Sequence, residues 1–565
     1  MRNWWALLAA IVGAVILAVV ATTPPGPAGT DAPATDFSAA RAMTDDRVIG
    51  RAPHPTGSAE DAAVRAYLIQ RLRGMGMEVA EATGTMDDEG AKRLANWSKS
   101  DATPPLTNIV AVLPGRDRSA PAVLLMAHHD SVWGSPGAAD DAAGVVSLLE
   151  TVRAIRAGGH QPARDLMVLL TDGEELGLEG VKAFFASDPR RGHVGVIVNL
   201  ETRGGGGRAQ MFETGADNGA MIDLMRRSVA RPVATSLSVF IYKKLPNSTD
   251  YTVAKRLGVP GFNYAFIGRP SQYHSPTATP DALDHGALQD MGRQVLDLTR
   301  GLLAAPALPG AAPDRVFFDA FGLVFVSYAA WVGWLILLVG VAGYAGAAWR
   351  RGTLGEVATG AGAMLALILG AGLLLWLVNL VSGAGGAVNY YDRLAAIPRL
   401  EAQALLVCLA ALVVARGRWL RPNAGSIAGA ALPLVLLAIL AQATAPTAAY
   451  PLAVPLMLGG LAAASWRWFG TTTGVIASAV AAMLGVGYML GFGFFLLEAV
   501  GPKTPMIAAL PLGVSALLLL PLTPPVARRR SDLAAALLLA AALGIALWVL
   551  LDPVAPSIAV YSSDH

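Results

Sequence analysis

Val123-Leu124-Leu125-Met126-Ala127-His128-His129-Asp130-Ser131 is a short apolar run that ends abruptly in two imidazoles and a carboxylate. Unbroken apolar runs of this length read as strands buried on both faces, as in parallel sheets covered by helices. Runs of the same character lie at 108–113, 166–170, 194–200 and 262–267. Helix-like patterns separate or flank them at 59–74, 142–157, 178–186, 218–229 and 283–303. The alternation predicts an α/β domain with a central mixed, mostly parallel sheet and helices on both faces.

In such folds ligands bind beyond the carboxyl ends of the strands, and the polar residues of this chain gather there. The run at 166–170 leads into Thr171-Asp172-Gly173-Glu174-Glu175. The run at 194–200 leads into Glu201, and that at 262–267 towards Tyr273-His274. Gly137-Ala138-Ala139-Asp140-Asp141 opens the helix at 142–157. Neutral imidazole with carboxylate suits zinc, and more than four such ligands suggests two ions. In His128-x-Asp130, residues two apart on extended backbone face the same side, so Asp130 is expected to accept the second imidazole N–H of His128. Neighbouring Glu174 and Glu175 point apart, one towards a metal and the other towards the attacking water. Asp141 reads as a helix-opening residue, His129 and His54 as structural, and His160, His193 and His285 as surface residues. Gly204–Gly207 lacks the lysine of a phosphate loop and reads as a flexible rim.

As a set, His128-x-Asp130, Asp140-Asp141, Glu174-Glu175, Glu201 and His274 resemble the di-zinc exopeptidases, the family of secreted aminopeptidases. Pro53-His54-Pro55-Thr56-Gly57-Ser58, Asn199-Leu200-Glu201 and the run from Phe266 to His274 resemble its membrane-bound subgroup, the endoplasmic-reticulum metallopeptidases and vacuolar membrane proteases. The resemblance covers about residues 50–300. It implies two zinc ions bridged by Asp140, with His128 and Glu201 completing one and His274 and Glu175 the other. It also implies Glu174 as general base and Tyr273 as hydrogen-bond donor to the oxyanion, with Asp130 supporting the site. Glu201 stands where many members carry Asp. The role of Asp250 is left open. The expected activity is aminopeptidase hydrolysis of peptide substrates. The same cage suits a cyclising transferase, or a carboxypeptidase, for which a basic cluster drawn from Arg203, Arg208 and Arg269 would bind the substrate carboxylate. A non-catalytic receptor or scaffold would be expected to lose a ligand or the base, and none is lost.

The other half of the chain differs in kind. Overall, 54% of the 565 residues are hydrophobic and 15% charged, against roughly 25% in soluble domains. The chain is thus too apolar to be soluble throughout. All but one of the eight histidines lie within 41–300. A net charge of +2 argues against nucleic acid as a partner. The single cysteine, Cys408, excludes a disulfide framework. Spans of about 20 apolar residues are expected at 4–20 and, more loosely, at 321–348, 357–383, 400–415, 425–442, 449–465, 473–499, 504–522 and 533–551. These predict an all-α polytopic transmembrane domain at 321–552. The other parts are an N-terminal anchor (or signal peptide) at 1–22, a linker at 23–40, the peptidase-like domain at 41–305, a linker at 306–320 and a tail at 553–565.

Loop charges orient the spans. Arg350, Arg351, Arg416, Arg418, Arg421, Arg467 and Arg528 to Arg530 follow alternate spans, whereas the other loops carry only Arg393, Arg399 and Lys503. By the positive-inside rule the α/β domain is exported. The expectation is a bacterial inner membrane with the domain on the periplasmic side, or a vacuolar or endoplasmic-reticulum membrane with a lumenal domain in a eukaryote. With Glu498 and Asn379 the main polar residues near span interiors, the spans read as a packed anchor rather than a transporter. Oligomeric state is not legible.

Overall fold

The computed structural model describes residues 2–386 and 390–552, so the expected tail at 553–565 lies outside the described residues. The chain forms two compact units. One comprises residues 23–319 with the helix Tyr390–Ala395; the other comprises the N-terminal helix and the remainder of the C-terminal half.

The first unit is a seven-stranded sheet: β1 (Glu78–Gly84), β2 (Leu106–Leu113), β3 (Ala122–His128), β4 (Leu166–Thr171), β5 (Val194–Thr202), β6 (Gln210–Thr214) and β7 (Gly261–Phe266), in the order β1-β2-β4-β3-β5-β7-β6. The four central strands β4, β3, β5 and β7 are parallel, and β1, β2 and β6 are antiparallel to their neighbours. The expected mixed, mostly parallel sheet is therefore present. Its central strands are buried along almost their whole length. On one face, Leu124, Met126 and Met167 pack with Val181 and Phe184 of helix Glu179–Ser187 and with Tyr251 and Ala254 of helix Asp250–Arg256. Helices Ala142–Ala157 and His285–Ala304 pack on the sheet as well as on each other. Asp141 caps the first by accepting from Gly144 N–H at 3.1 Å, as its helix-opening reading anticipates.

The sequence reading misses the edge strands β1 and β6. The side chains of β1 are largely exposed, so the strand lacks the apolar run that marks its buried neighbours. The Gly204–Gly207 segment is also not the flexible rim expected. Gly204, Gly205 and Gly206 are buried, and Gly206 N–H donates to Gly268 C=O at 3.0 Å. A Cβ on Gly204 would stand 2.3 Å from that same carbonyl oxygen, so close backbone packing, not mobility, requires glycine there.

The second unit is helical. Helices Arg2–Thr22, Val332–Ala348, Leu354–Asn379, Ile397–Arg418, Ala424–Thr444, Tyr450–Trp468, Gly470–Val500 and Arg528–Leu551 are joined by the segment Pro505–Leu522. Among the described residues, seven helices are long and apolar enough to cross a membrane. The span expected at 321–348 is displaced: Val324–Ala329 is a strand and the helix begins only at Val332. Gly322, at φ +66°, turns the chain before this β-branched and aromatic stretch, which suits extended backbone. Strand Arg315–Ala320 likewise occupies the end of the expected linker. Within the bundle, glycines set the helix contacts. A Cβ on Gly343 would lie 2.3 Å from Gly460 O, and one on Gly429 would lie 2.1 Å from Val357 O. Small residues at crossings let helix backbones approach closely where apolar burial offers no drive to associate.

Candidate metal centre

Parallel register brings the strand ends to one level. His128 pairs with Thr171 across β3 and β4, and Glu201 with Ala265 across β5 and β7. The loops beyond these ends supply the other site residues. Asp140 stands at the centre. Its Oδ1 lies 3.2 Å from Nε2 of His128, and its Oδ2 lies 3.1 Å from Nε2 of His274. Glu201 Oε2 is 3.9 Å from Nε2 of His128, and Glu175 Oε1 is 3.1 Å from Nε2 of His274. Each oxygen of Asp140 thus faces a different imidazole, and each imidazole has a further carboxylate beside it. Glu175 Oε1 is buried without a hydrogen-bond partner, and the ligand atoms of His128, Asp140 and Glu175 lie within 4.8 Å of one another. A carboxylate open on both oxygens, two imidazole nitrogens and further buried acidic oxygens form a donor set that fits zinc.

The electrostatics agree with that fit. Burial would lower the imidazoles of His128 and His274, but the surrounding carboxylates outweigh it and raise both well above their ordinary value. Asp140, despite burial, is drawn down to about 2 by the two imidazoles. The carboxyls of Glu174 and Glu201 go the other way, raised well above the usual range by burial and by their acidic neighbours. Glu175 is raised for the same reasons. Acids crowded this closely repel one another, and divalent cations would relieve the repulsion.

Asp130 corrects one expectation. The Nδ1 of His128 lies 2.9 Å from the Asp130 backbone carbonyl, while the Asp130 carboxylate is 3.5 Å away. β3 ends at His128, so the pleat that would turn residues 128 and 130 to one side no longer operates. The carboxylate instead accepts the backbone N–H groups of Glu174 at 3.1 Å and Glu175 at 3.3 Å, and the Thr56 hydroxyl at 3.4 Å. It thereby holds the turn that presents both glutamates. His129 points elsewhere, as expected of a structural residue. Its Nδ1 is 3.2 Å from Asp61 and its Nε2 is 3.2 Å from Thr107 C=O. Burial opposes the charge, yet Asp61 raises this imidazole to about 9. Arg65, 2.7 Å from Asp61, balances the remaining acid of this buried group. His54 makes a local turn contact to Ala52 C=O at 2.9 Å. His193 is not a bare surface residue, because its ring lies 3.3 Å from Asp165.

Tyr273 stacks on His274 with ring centroids 3.8 Å apart, and burial and the acids keep its hydroxyl protonated. Of the arginines considered for a substrate carboxylate, Arg208 is buried against Asp290 at 2.6 Å and Arg269 pairs with Asp284 at 3.0 Å. Two participants, Asn108 and Tyr391, have no motif to reveal them, and Asp250 is singled out in the sequence without a role. Asn108 accepts Asp172 N–H at 3.0 Å and donates to Gly180 C=O at 2.8 Å, bracing the loop that carries Glu174. Asp250 accepts from the Thr171 hydroxyl, and burial raises its carboxyl to about 6. Tyr391 stands at His274, far along the chain. An Asn inside a strand, or a Tyr in a loop between apolar runs, carries no spacing signal.

Residues 108–299 match the sequence profile of peptidase family M28. Endoplasmic reticulum metallopeptidase 1 of Mus musculus is 26% identical over 302 residues, covering 50% of this chain and 33% of that protein. The vacuolar membrane protease of Leptosphaeria maculans is 30% identical over 337 residues, covering 56% and 41%. The chain thus spans about a third of the length of the mammalian relatives it matches. Among solved structures, an aminopeptidase from Aneurinibacillus sp. strain AM-1 superposes with a TM-score of 0.39 at 16% identity, over 50% of this chain and 98% of that one. A Porphyromonas gingivalis glutaminyl cyclase superposes at 0.38 and 20% identity, over 46% and 98%. The strands that carry His128, Glu201 and the loops around Asp140, Glu175 and His274 all fall within the matched segment: the chain carries a peptidase family M28 domain over residues 108–299.

Proposed function

We propose that this chain is a membrane-bound zinc aminopeptidase that holds two zinc ions, one with His128 and Glu201, one with His274 and Glu175, and both with Asp140. The observation that carries the reading is the division of Asp140, whose two oxygens lie 3.2 and 3.1 Å from the Nε2 atoms of His128 and His274. Bound zinc would acidify a water and polarise the scissile carbonyl. Glu174, its carboxyl raised by burial and by neighbouring acids, is poised to take the water's proton and return it to the leaving amine. Tyr273 keeps its hydroxyl proton and can donate it to the oxyanion. The engagement of Arg208 and Arg269 with Asp290 and Asp284 removes two of the three arginines that a carboxypeptidase would use for the substrate's terminal carboxylate, and Arg203 lies beside Tyr273.

The apolar helices and the alternating basic loops support a multi-pass protein with the peptidase domain on the non-cytoplasmic side. Relatives named for the endoplasmic reticulum and the vacuolar membrane fit a lumenal or extracytoplasmic domain and speak for no particular bacterial envelope. The test is hydrolysis of an aminoacyl-arylamide panel by the purified full chain. Cleavage that disappears with a chelator and returns with zinc is expected. A zinc-loaded chain that cleaves only blocked substrates, or only releases C-terminal residues, would overturn the aminopeptidase reading.

A further inference from the structure

The chain returns to the metal centre from a place no motif reaches. Helix Tyr390–Ala395 lies in the sequence between the apolar helices Leu354–Asn379 and Ile397–Arg418, yet it belongs to the sheet-bearing unit. It packs on the turn Pro270–Gln272, which immediately precedes Tyr273 and His274. The hydroxyl of Tyr391 lies 3.2 Å from Nδ1 of His274. Its ring centroid is 5.4 Å from that of His274 and 5.9 Å from that of Tyr273. The loop charges agree independently. Arg350 and Arg351 lie one span earlier, which puts residues 384–396 on the same side of the membrane as the site.

Chemistry gives this contact a direction. An imidazole that offers Nε2 to a cation carries its proton on Nδ1, and an acceptor there fixes the tautomer and the ring plane. Nε2 of His274 faces Asp140 and Glu175, so the Nδ1 proton points to the Tyr391 oxygen. His274 also sits at φ +50°, a conformation that a non-glycine residue keeps only when its surroundings hold it. We propose that Tyr391 is a positioning residue for His274, so that a segment carried between two spans completes the zinc site. The spans then contribute to the chemistry, a part that a single anchoring helix could not supply. The inference rests on the di-zinc reading above.

The test compares the full-length chain in detergent as wild type, Tyr391→Phe, Tyr391→Gln and His274→Ala. Zinc affinity is read by competition with a chromophoric chelator, alongside kcat, KM and the melting temperature of the metal-free protein. Wild type should take up two equivalents. In Tyr391→Phe, one ion should bind as before and the other about 10–100-fold more weakly. Here kcat falls more than KM moves, and metal-free melting is unchanged. Tyr391→Gln, whose amide oxygen can accept the same proton, should recover part of the affinity. Zinc affinities in Tyr391→Phe within about twofold of wild type would overturn the proposal. So would a loss matched by lower metal-free melting and not eased by Gln, which marks a packing role. If wild type binds no zinc, the di-zinc reading itself fails. If wild type binds two, His274→Ala loses one and Tyr391→Phe loses none, only the role of Tyr391 falls.

Discussion

Glu174 is an ordinary glutamate made into a candidate base by its surroundings: burial and the acids at Glu175, Asp250 and Asp140 raise its carboxyl, and Asp130 holds its backbone. Replacing it with Gln keeps shape and removes the proton acceptor. Glu174→Gln should lower kcat by about 10²–10⁴-fold with zinc content unchanged by elemental analysis. Full activity in that variant would remove Glu174 from the mechanism. Outside the motifs, Asp46 illustrates the opposite use of burial. It is fully buried, neither carboxylate oxygen has a hydrogen-bond partner, and burial raises its carboxyl well above the usual range despite Arg47. The folded state therefore keeps a proton that the unfolded chain releases near pH 3.9. Stability is retained below that pH and declines as pH rises towards the folded-state value. Asp46→Asn mimics the protonated form. It should stabilise the protein by about 1–3 kcal/mol at pH 7.5 and give no gain at pH 4, as read by melting at the two pH values.

Among elements, the strongest constraint is the junction of β4, its following loop and helix Glu179–Ser187. A Cβ on Gly180 would stand 2.3 Å from Asp172 O and 2.4 Å from Asn108 Oδ1. The helix therefore packs against the loop that presents Glu174 only because residue 180 has no side chain. Gly180→Ala should force the Asn108 bridge apart and destabilise the protein by about 1–3 kcal/mol. Melting in detergent checks the stability, and a parallel drop in zinc uptake would show the strain reaching Glu175. The buried strands β2 to β5 and β7 were legible because their runs are largely apolar, and those of β3, β4, β5 and β7 lead into the candidate ligand motifs. The edge strand β1 was not, since a largely exposed strand needs no apolar pattern. The Gly204–Gly207 run misled because composition cannot tell a mobile glycine from one that lets two backbones meet.

For the molecule as a whole, the topology prediction follows from charge. With Cys408 replaced by Ala, a single cysteine at position 101 should react with a membrane-impermeant maleimide applied from the non-cytoplasmic side. One at position 351 should react only after permeabilisation. The reverse pattern would invert the assigned orientation. Such statements need only the sequence, because insertion reads hydropathy and basic residues locally along the chain. The same locality explains why the candidate ligand residues were visible: His128 and Glu201 lie at the ends of β3 and β5, Glu175 follows β4 closely, Asp140 and His274 lie in the loops after β3 and β7, and the carboxyl ends of parallel strands share an edge. Which nitrogen of His128 meets which oxygen, and that Asp130 holds the glutamate turn rather than the imidazole, depends on where β3 stops. That Tyr391 meets His274 across 117 residues of chain depends on packing alone. The chain itself thus determined the α/β class, the helical half and the identity of the donor set, since all three are written in local pattern. Tertiary structure decided which oxygen of Asp140 faces which imidazole and the arrival of Tyr391, because contacts between residues distant in sequence leave no period or spacing to read.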